Sequence, residues 1–249
     1  MLKGPRRINF DRIAHRYDET RGLPQRQMKP IVDKLYRELA PYRNVLEVGV
    51  GTGRFAVPLQ RKGIHLLGGD ISSRMLARGR EKGLRDIALA DALALPFRDK
   101  CVDAAYSIHL LHLIQDWKGA LREISRVTRE AYYTVASYWE ESESPHRLYW
   151  RVVRESGCGQ QRPGIFERDL PDIVPPVRRL LVGDFSERIP TADMVKTLEE
   201  RSFSTQWRLP EEVHERAMKA VTEEFSQGTI ALRKRVEVIR WNVDDLPRS

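Results

Sequence analysis

The chain has 249 residues, 41% hydrophobic and 31% charged, with 16 Gly and 14 Pro, a composition that excludes collagen-like, low-complexity and broadly disordered classes. Two cysteines, Cys101 and Cys158, are too few for a disulfide framework or a four-cysteine zinc site; no apolar run is long enough to span a bilayer, so a soluble, cytoplasmic protein without membrane contact is expected. Of the net charge of +8, residues 1–43 carry +6 and the segments 44–144 and 145–249 carry +1 each, which fits either attraction of an anionic partner, nucleic acid included, or a solvated basic face.

In chain order, Asn9 can cap a helix over Phe10–Arg21, and Met28–Leu39 reads as a second amphipathic helix closed before Pro41. From residue 44 short apolar runs alternate with helical stretches. Asn44–Val50 is a β-rich run ending in glycines, followed by a helix over Phe55–Lys62 and a strand over Ile64–Asp70. A surface helix over Ser72–Lys82 precedes strands at Ile87–Ala90 and Val102–Ser107. Asp116–Val127 places Trp117, Leu121, Ile124 and Val127 on one helical face, and Tyr132–Tyr138 reads as the fifth strand. This alternation predicts an α/β fold, a mostly parallel sheet with helices on both faces, whose ligands bind at the carboxyl ends of the strands. Beyond it lie a helix near His146–Glu155, the loop GCGQQRPG, a strand over Val177–Ile189 and a helix over Thr191–Arg201. Pro210 opens a helix to about Gln227, and Thr229–Val243 is a last strand, antiparallel to its late partner.

The strongest local signal is VLEVGVGTGRF, residues 45–55. Gly49, Gly51 and Gly53 let the backbone turn tightly and let a ligand approach its amides. The third glycine of a dinucleotide fingerprint is replaced by Arg54, and no Gly-Lys-Ser/Thr follows, so neither pyrophosphate pattern is met. Glu47 before the loop suits a ligand bearing positive charge. Asp70 ends the second strand, 21 residues after Gly49, where an acid can take ribose hydroxyls; Asp91 follows the third, where it can face an adenine edge. Each acid alone suits a turn or helix cap. Three at successive strand ends behind a G-x-G-x-G loop do not.

With VLEVGVGTGRF, LLGGDIS, MLARGREKG, ADALALPFRDKCVDAAYSIHLLHLIQDW and GALREISRV in order over residues 44–128, the chain resembles the class I S-adenosylmethionine-dependent methyltransferases of the type 11 branch. The resemblance implies a Rossmann-like seven-stranded sheet and S-adenosyl-L-methionine as cofactor, leaving S-adenosyl-L-homocysteine. It implies one domain over 1–249, with a helical cap at 1–43 and a cofactor-binding core at 44–138. Lid insertions would lie at 139–176 and 190–228, and late strands at 177–189 and 229–243. It places Glu47 beneath the loop, Gly49, Val50, Gly51 and Gly53 around the methionine moiety, and Asp70 on the ribose. Ile71 and Met75 would pack beside the adenine, with Asp91 and the Ala92 amide at its amino group, Ser107 near the methionyl part, and Tyr17 closing the pocket. The glycine pair that usually precedes the fifth strand is replaced by TREAYYTVASY, and His109 stands where the branch more often has an apolar residue.

Methyl transfer from a sulfonium is an in-line displacement needing no metal, and His15, His65, His146 and His214 form no ligand pair, so no metal site is expected. An acceptor carrying a proton needs a general base, for which His109 is the first candidate. His112 lies three residues on, on the same face if that segment is helical. Tyr138, Trp139, Tyr149, Trp150, Phe166 and Trp207 suggest either an aromatic acceptor pocket or lid packing. The leading reading is a methyltransferase for a small organic acceptor, acting as a monomer or homodimer. A tRNA-modifying methyltransferase of the wobble-uridine type and a non-catalytic donor-binding protein are the alternatives.

Overall fold

In the computed structural model, residues 10, 11, 13–15, 17, 18, 25–140, 143–158 and 163–247 are described. Asn9 and the end of the first expected helix lie outside them. Ile13 donates to the Phe10 carbonyl in a turn, residues 13–15 are turns, and Tyr17 and Asp18 are helical. Of the helix expected over Phe10–Arg21, the described residues are therefore turn as far as residue 15 and helical at 17 and 18. Asp11 accepts a hydrogen bond from Ser72 and Asp18 one from Thr52.

Helix α1 (Gln25–Leu39) buries Ile31, Val32, Leu35 and Leu39 at helical spacing and is followed by β1 (Val45–Val48), all four of whose residues are buried. Then come α2 (Ala56–Arg61), β2 (Leu66–Asp70), α3 (Ser73–Glu81), β3 (Ile87–Leu89), β4 (Val102–Ser107), α4 (Trp117–Val127) and β5 (Thr128–Trp139). The later elements are α5 (Pro145–Glu155), β6 (Arg178–Pro190), α6 (Thr191–Glu199), α7 (Glu211–Glu224) and β7 (Thr229–Asn242). The sheet order is β3-β2-β1-β4-β5-β7-β6, with β1 to β5 parallel. Late-strand pairs such as Arg179–Glu237 and Arg235–Asp184, with the Val177 amide on the Arg240 carbonyl, run in opposite directions and make β7 antiparallel to β6. The expected Rossmann-like sheet is the observed one. The order reverses between β1 and β4, which sets a ligand crevice at the carboxyl ends of those two strands.

β5 departs from expectation. It starts at Thr128 and not near Tyr132, because α4 passes into it without a linker: Thr128 is both the helix C-cap and the partner of Val102. The polar Thr128–Glu130 stretch, which reads as a turn, is held by Arg129 on Asp103 at 2.6 Å and by Lys100 on the Thr128 carbonyl at 2.8 Å. Pro210 is the N-cap of α7, with Glu211 the first helical residue, whereas Pro145 takes the first helical position of α5 behind Ser144.

The chain divides into two compact units: residues 1–137, 163–183 and 236–249, and residues 138–162 with 184–235. The second unit has its own core, where Tyr149, Trp150 and Val153 of α5 pack with Leu198 of α6 and Val213, Ala217 and Val221 of α7. The expected cluster of late aromatic residues is thereby divided. Tyr149 and Trp150 are core side chains of the second unit, the Trp207 indole is bound to the Arg201 carbonyl, and Phe166 belongs to the first unit. Among the described residues, no helix is long and apolar enough to cross a membrane.

Candidate functional site

β1 delivers the chain to Gly49 and Gly51, both left-handed at φ +79° and +55°, a conformation that favours glycine. A methyl group on Gly49 would stand 2.8 Å from Leu110 Cδ1, and one on Gly51 would meet Met75 Cε at 3.3 Å. The Gly49 and Val50 amides both donate to the Gly69 carbonyl of β2, which ties the loop to the next strand. Val50 and Met75 are buried and Ile71 is half-buried.

Asp70 sits at the end of β2. One carboxylate oxygen accepts the Gly51 amide at 2.9 Å and the other the Ser72 amide at 2.8 Å. Burial raises its pKa, backbone amides of Ser72, Gly51 and Ile71 oppose the rise, and the nearby charge of Asp11 adds to it. Next along the sheet edge, the Ala90 amide donates to the Asp70 carbonyl, and Asp91 follows. Asp91 accepts the Leu93 amide at 3.0 Å, so one of its oxygens caps its own turn, and Ala92 is at the border of burial. Glu47 is buried under the loop with the Tyr106 hydroxyl at 2.5 Å. Burial pushes its pKa up to about 8, against the Tyr106 hydrogen bond and the charge of Arg54.

The chain before α1 lies against this loop. Asp18 accepts from Thr52 Oγ1 and Lys82 Nζ, each at 2.7 Å, and Asp11 accepts from Ser72 Oγ at 2.5 Å. Tyr17 packs edge-on to Phe10, and the Arg54 guanidinium lies 5.8 Å from its ring centre. Asp18, Met28, Gly53, Arg54, Val57 and Lys82 help line an open cavity of about 490 Å³.

After β4 the chain turns through His109, left-handed at φ +57° and exposed, into a short 3₁₀ turn at Leu111–Leu113. His109 and His112 therefore do not share a helical face, because the backbone reverses hand at His109. Ser107 is buried, with its hydroxyl 2.6 Å from the Tyr132 hydroxyl. Glu167 was not singled out by the sequence. Its carboxylate is buried and accepts the Leu110 amide at 2.6 Å and the Leu111 amide at 3.1 Å. His112 Nδ1 faces its other oxygen at 3.7 Å. Burial favours the neutral acid, but the adjoining imidazoles of His112 and His109 bring the Glu167 pKa below its ordinary value. The only sequence signal for Glu167 was an acid in the IFERDL stretch after a Gly-rich loop.

The arrangement is a glycine loop at the switch point, with Glu47 buried in β1, Asp70 ending β2, Asp91 following β3 and imidazoles after β4. Residues 46–134 match the family model of a methyltransferase domain. The chain is 35% identical over 132 residues to a demethylmenaquinone methyltransferase of Mycobacterium marinum, covering 51% of this chain and 57% of that one. It spans little more than half the length of the curated relatives first in similarity. Its fold is similar to a methyltransferase of Thermotoga maritima described as a possible histamine N-methyltransferase, with TM-score 0.54 and 21% identity over 94% of this chain and 97% of that one. It is also similar to magnesium protoporphyrin IX methyltransferase of Synechocystis, solved with bound S-adenosylhomocysteine, with TM-score 0.51 and 14% identity over 92% and 95% of the two chains. Residues 46–134 thus match a methyltransferase domain, and the chain carries a Rossmann-like sheet similar to that of the solved methyltransferases.

Proposed function

We propose that the protein transfers a methyl group from S-adenosyl-L-methionine to a small organic acceptor in the cytoplasm. The observation that carries this reading is the cradle at Gly49–Gly51 with Asp70 fixed beside it by two amides. The residues present fit the donor. The bare faces of Gly49 and Gly51 abut Leu110 and Met75, so the loop takes a tight left-handed path that a side chain would block, and the Asp70 carboxylate beside it suits a cationic nucleoside without phosphates. When bound, the donor supplies an electrophilic methyl on a sulfonium.

Gly49, Val50, Gly51 and Gly53 would hold the methionine part and Asp70 the ribose. Ile71, Met75, Asp91 and Ala92 would hold the base, with Glu47 beneath the loop and Tyr17 and Ser107 at its margins. Asp70 stands ready for such a role because its orientation is already set by the Gly51 and Ser72 amides. Holding acceptor, methyl and sulfur in line contributes about 7–11 kcal/mol. For a protic acceptor the imidazoles of His109 and His112 are the groups able to take the proton. The proposal gives the excursions at 139–176 and 190–228 to acceptor choice. Relatives named demethylmenaquinone methyltransferases make a quinol the first acceptor to try.

Calorimetric titration with S-adenosylmethionine tests the reading, followed by S-adenosylhomocysteine release with demethylmenaquinone reduced chemically to its quinol, small phenols and amines, and tRNA as separate acceptors. Micromolar donor binding and turnover with one small acceptor are expected. Absence of donor binding rejects the reading, turnover confined to tRNA replaces the acceptor class, and binding without any turnover supports a donor-binding protein.

A further inference from the structure

Three contacts join the 163–167 segment to the turn after β4. The Gly164 amide donates to the His112 carbonyl at 3.3 Å, and a side chain on Gly164 would collide with the carbonyl oxygens of Leu111 and Ile114. The Phe166 ring stacks on the His112 ring, with centroids 5.4 Å apart and 28° between planes. The Glu167 carboxylate takes the amides of Leu110 and Leu111 and faces His112 Nδ1. A buried carboxylate bound to two consecutive amides is a costly group to keep in an interior unless it holds something in place.

What it holds is next to the glycine loop. Leu110, whose amide donates the shorter of the two bonds, has its side chain against the bare face of Gly49. We propose that Glu167 is a positioning residue of the donor site. Its carboxylate pins the Leu110–Leu111 backbone, and the pinned backbone seats Leu110 as the wall of the cradle and fixes the place of His112. The proposal rests on the reading of that cradle as the donor site. It makes donor affinity depend on a side chain 57 residues from the amide it holds. The pinned pair follows directly on His109, whose backbone is left-handed at φ +57°.

The test compares Glu167→Ala with Glu167→Gln by amide exchange in the donor-free protein and by titration with S-adenosylmethionine. Glu167→Ala is expected to speed exchange at Leu110 and Leu111 by about tenfold or more and to weaken donor binding about tenfold. Glu167→Gln keeps an acceptor oxygen for both amides and is expected to stay within about threefold of wild type on both readouts. A folded Glu167→Ala protein with wild-type donor affinity overturns the proposal, as does a folded Gln variant that falls as far as Ala. If Glu167→Ala does not fold, Leu110→Ala decides, because it removes the wall and leaves the pin; unchanged donor affinity there is equally fatal. A wild-type protein that does not bind S-adenosylmethionine sinks the donor reading alone. The two exchange rates then judge the pin, which wild-type protection in Glu167→Ala refutes.

Discussion

The Tyr106 hydroxyl and the Glu47 carboxyl meet at 2.5 Å between two paired residues of β4 and β1, with both side chains shut away from solvent. Burial raises the Glu47 pKa from 4.5 to about 8, so the folded state holds a proton that the unfolded chain releases near pH 4.5. The contribution of Glu47 to stability is complete below pH 4.5 and is lost as pH rises through about 8. Glu47→Gln carries no such proton. Thermal melts at a series of pH values should show it gaining on wild type through that window, by several degrees at the alkaline end. Parallel curves for the two proteins would mean Glu47 is ionised in the fold at neutral pH.

Asp70 bridges the Gly51 and Ser72 amides, and its loss frees both. Asp70→Ala should lower affinity for S-adenosylmethionine by well over tenfold, from the lost charged acceptor and the loosened loop. Asp70→Asn keeps one carbonyl oxygen and should bind better than Ala. Calorimetry with both variants checks the order, and equal affinity in all three proteins would remove Asp70 from the donor site.

Asp18 links the chain before α1 to Thr52 through a part-buried hydrogen bond and to Lys82 through an exposed ion pair, so its substitution should cost about 1 kcal/mol of global stability. Burial raises its pKa, but hydrogen bonds from Lys82 and Thr52 leave it below 3.8. The latch is therefore complete above pH 3.8 and is released as the solution is acidified further. Hydrogen exchange over the stretch around Tyr17 and Asp18 should accelerate in Asp18→Ala at pH 7 with almost unchanged melting temperature. A large fall in melting temperature would show the latch to be part of the core.

In the second unit the Tyr149 hydroxyl lies 2.7 Å from His214 Nδ1, and both residues are buried. Tyr149→Phe leaves the imidazole nitrogen without that bond and should destabilise the unit by about 1–3 kcal/mol. Burial and the charge of Arg201 hold the His214 pKa below 6.5, so its contribution is present above pH 6.5 and lost as pH falls further. Urea melts of wild type and Tyr149→Phe at pH 7.5 and pH 5.5 check both effects.

The glycine loop was legible because its parts are local: Gly49, Gly51 and Gly53 follow β1 directly, and each is left-handed. Asp70, 21 residues after Gly49, meets the loop through the Gly51 amide. Glu167 was not legible, since the amides it binds are 56 and 57 residues away and no periodicity marks such a pairing. Whether His109 and His112 share a face was left open by their spacing, and the left-handed backbone at His109 answers that they do not. The late aromatic residues left pocket and packing both open, because a shared stretch of sequence says nothing about which of two cores each ring enters, and Tyr149 and Trp150 are packed in the second.

Thr128 closes α4 and opens β5 in the same residue. The register of β5 on β4 already shifts once, between Val102 and Ala104, and one amino acid added between Val127 and Thr128 that this irregularity did not absorb would slip β5 by one position. Every side chain beyond it would then change faces, taking Tyr132 from Ser107 and Tyr133 from Tyr42. What the 127–128 junction tolerates is therefore confined to what that irregularity can take up, and tags, reporter loops or permuted termini belong elsewhere in this chain.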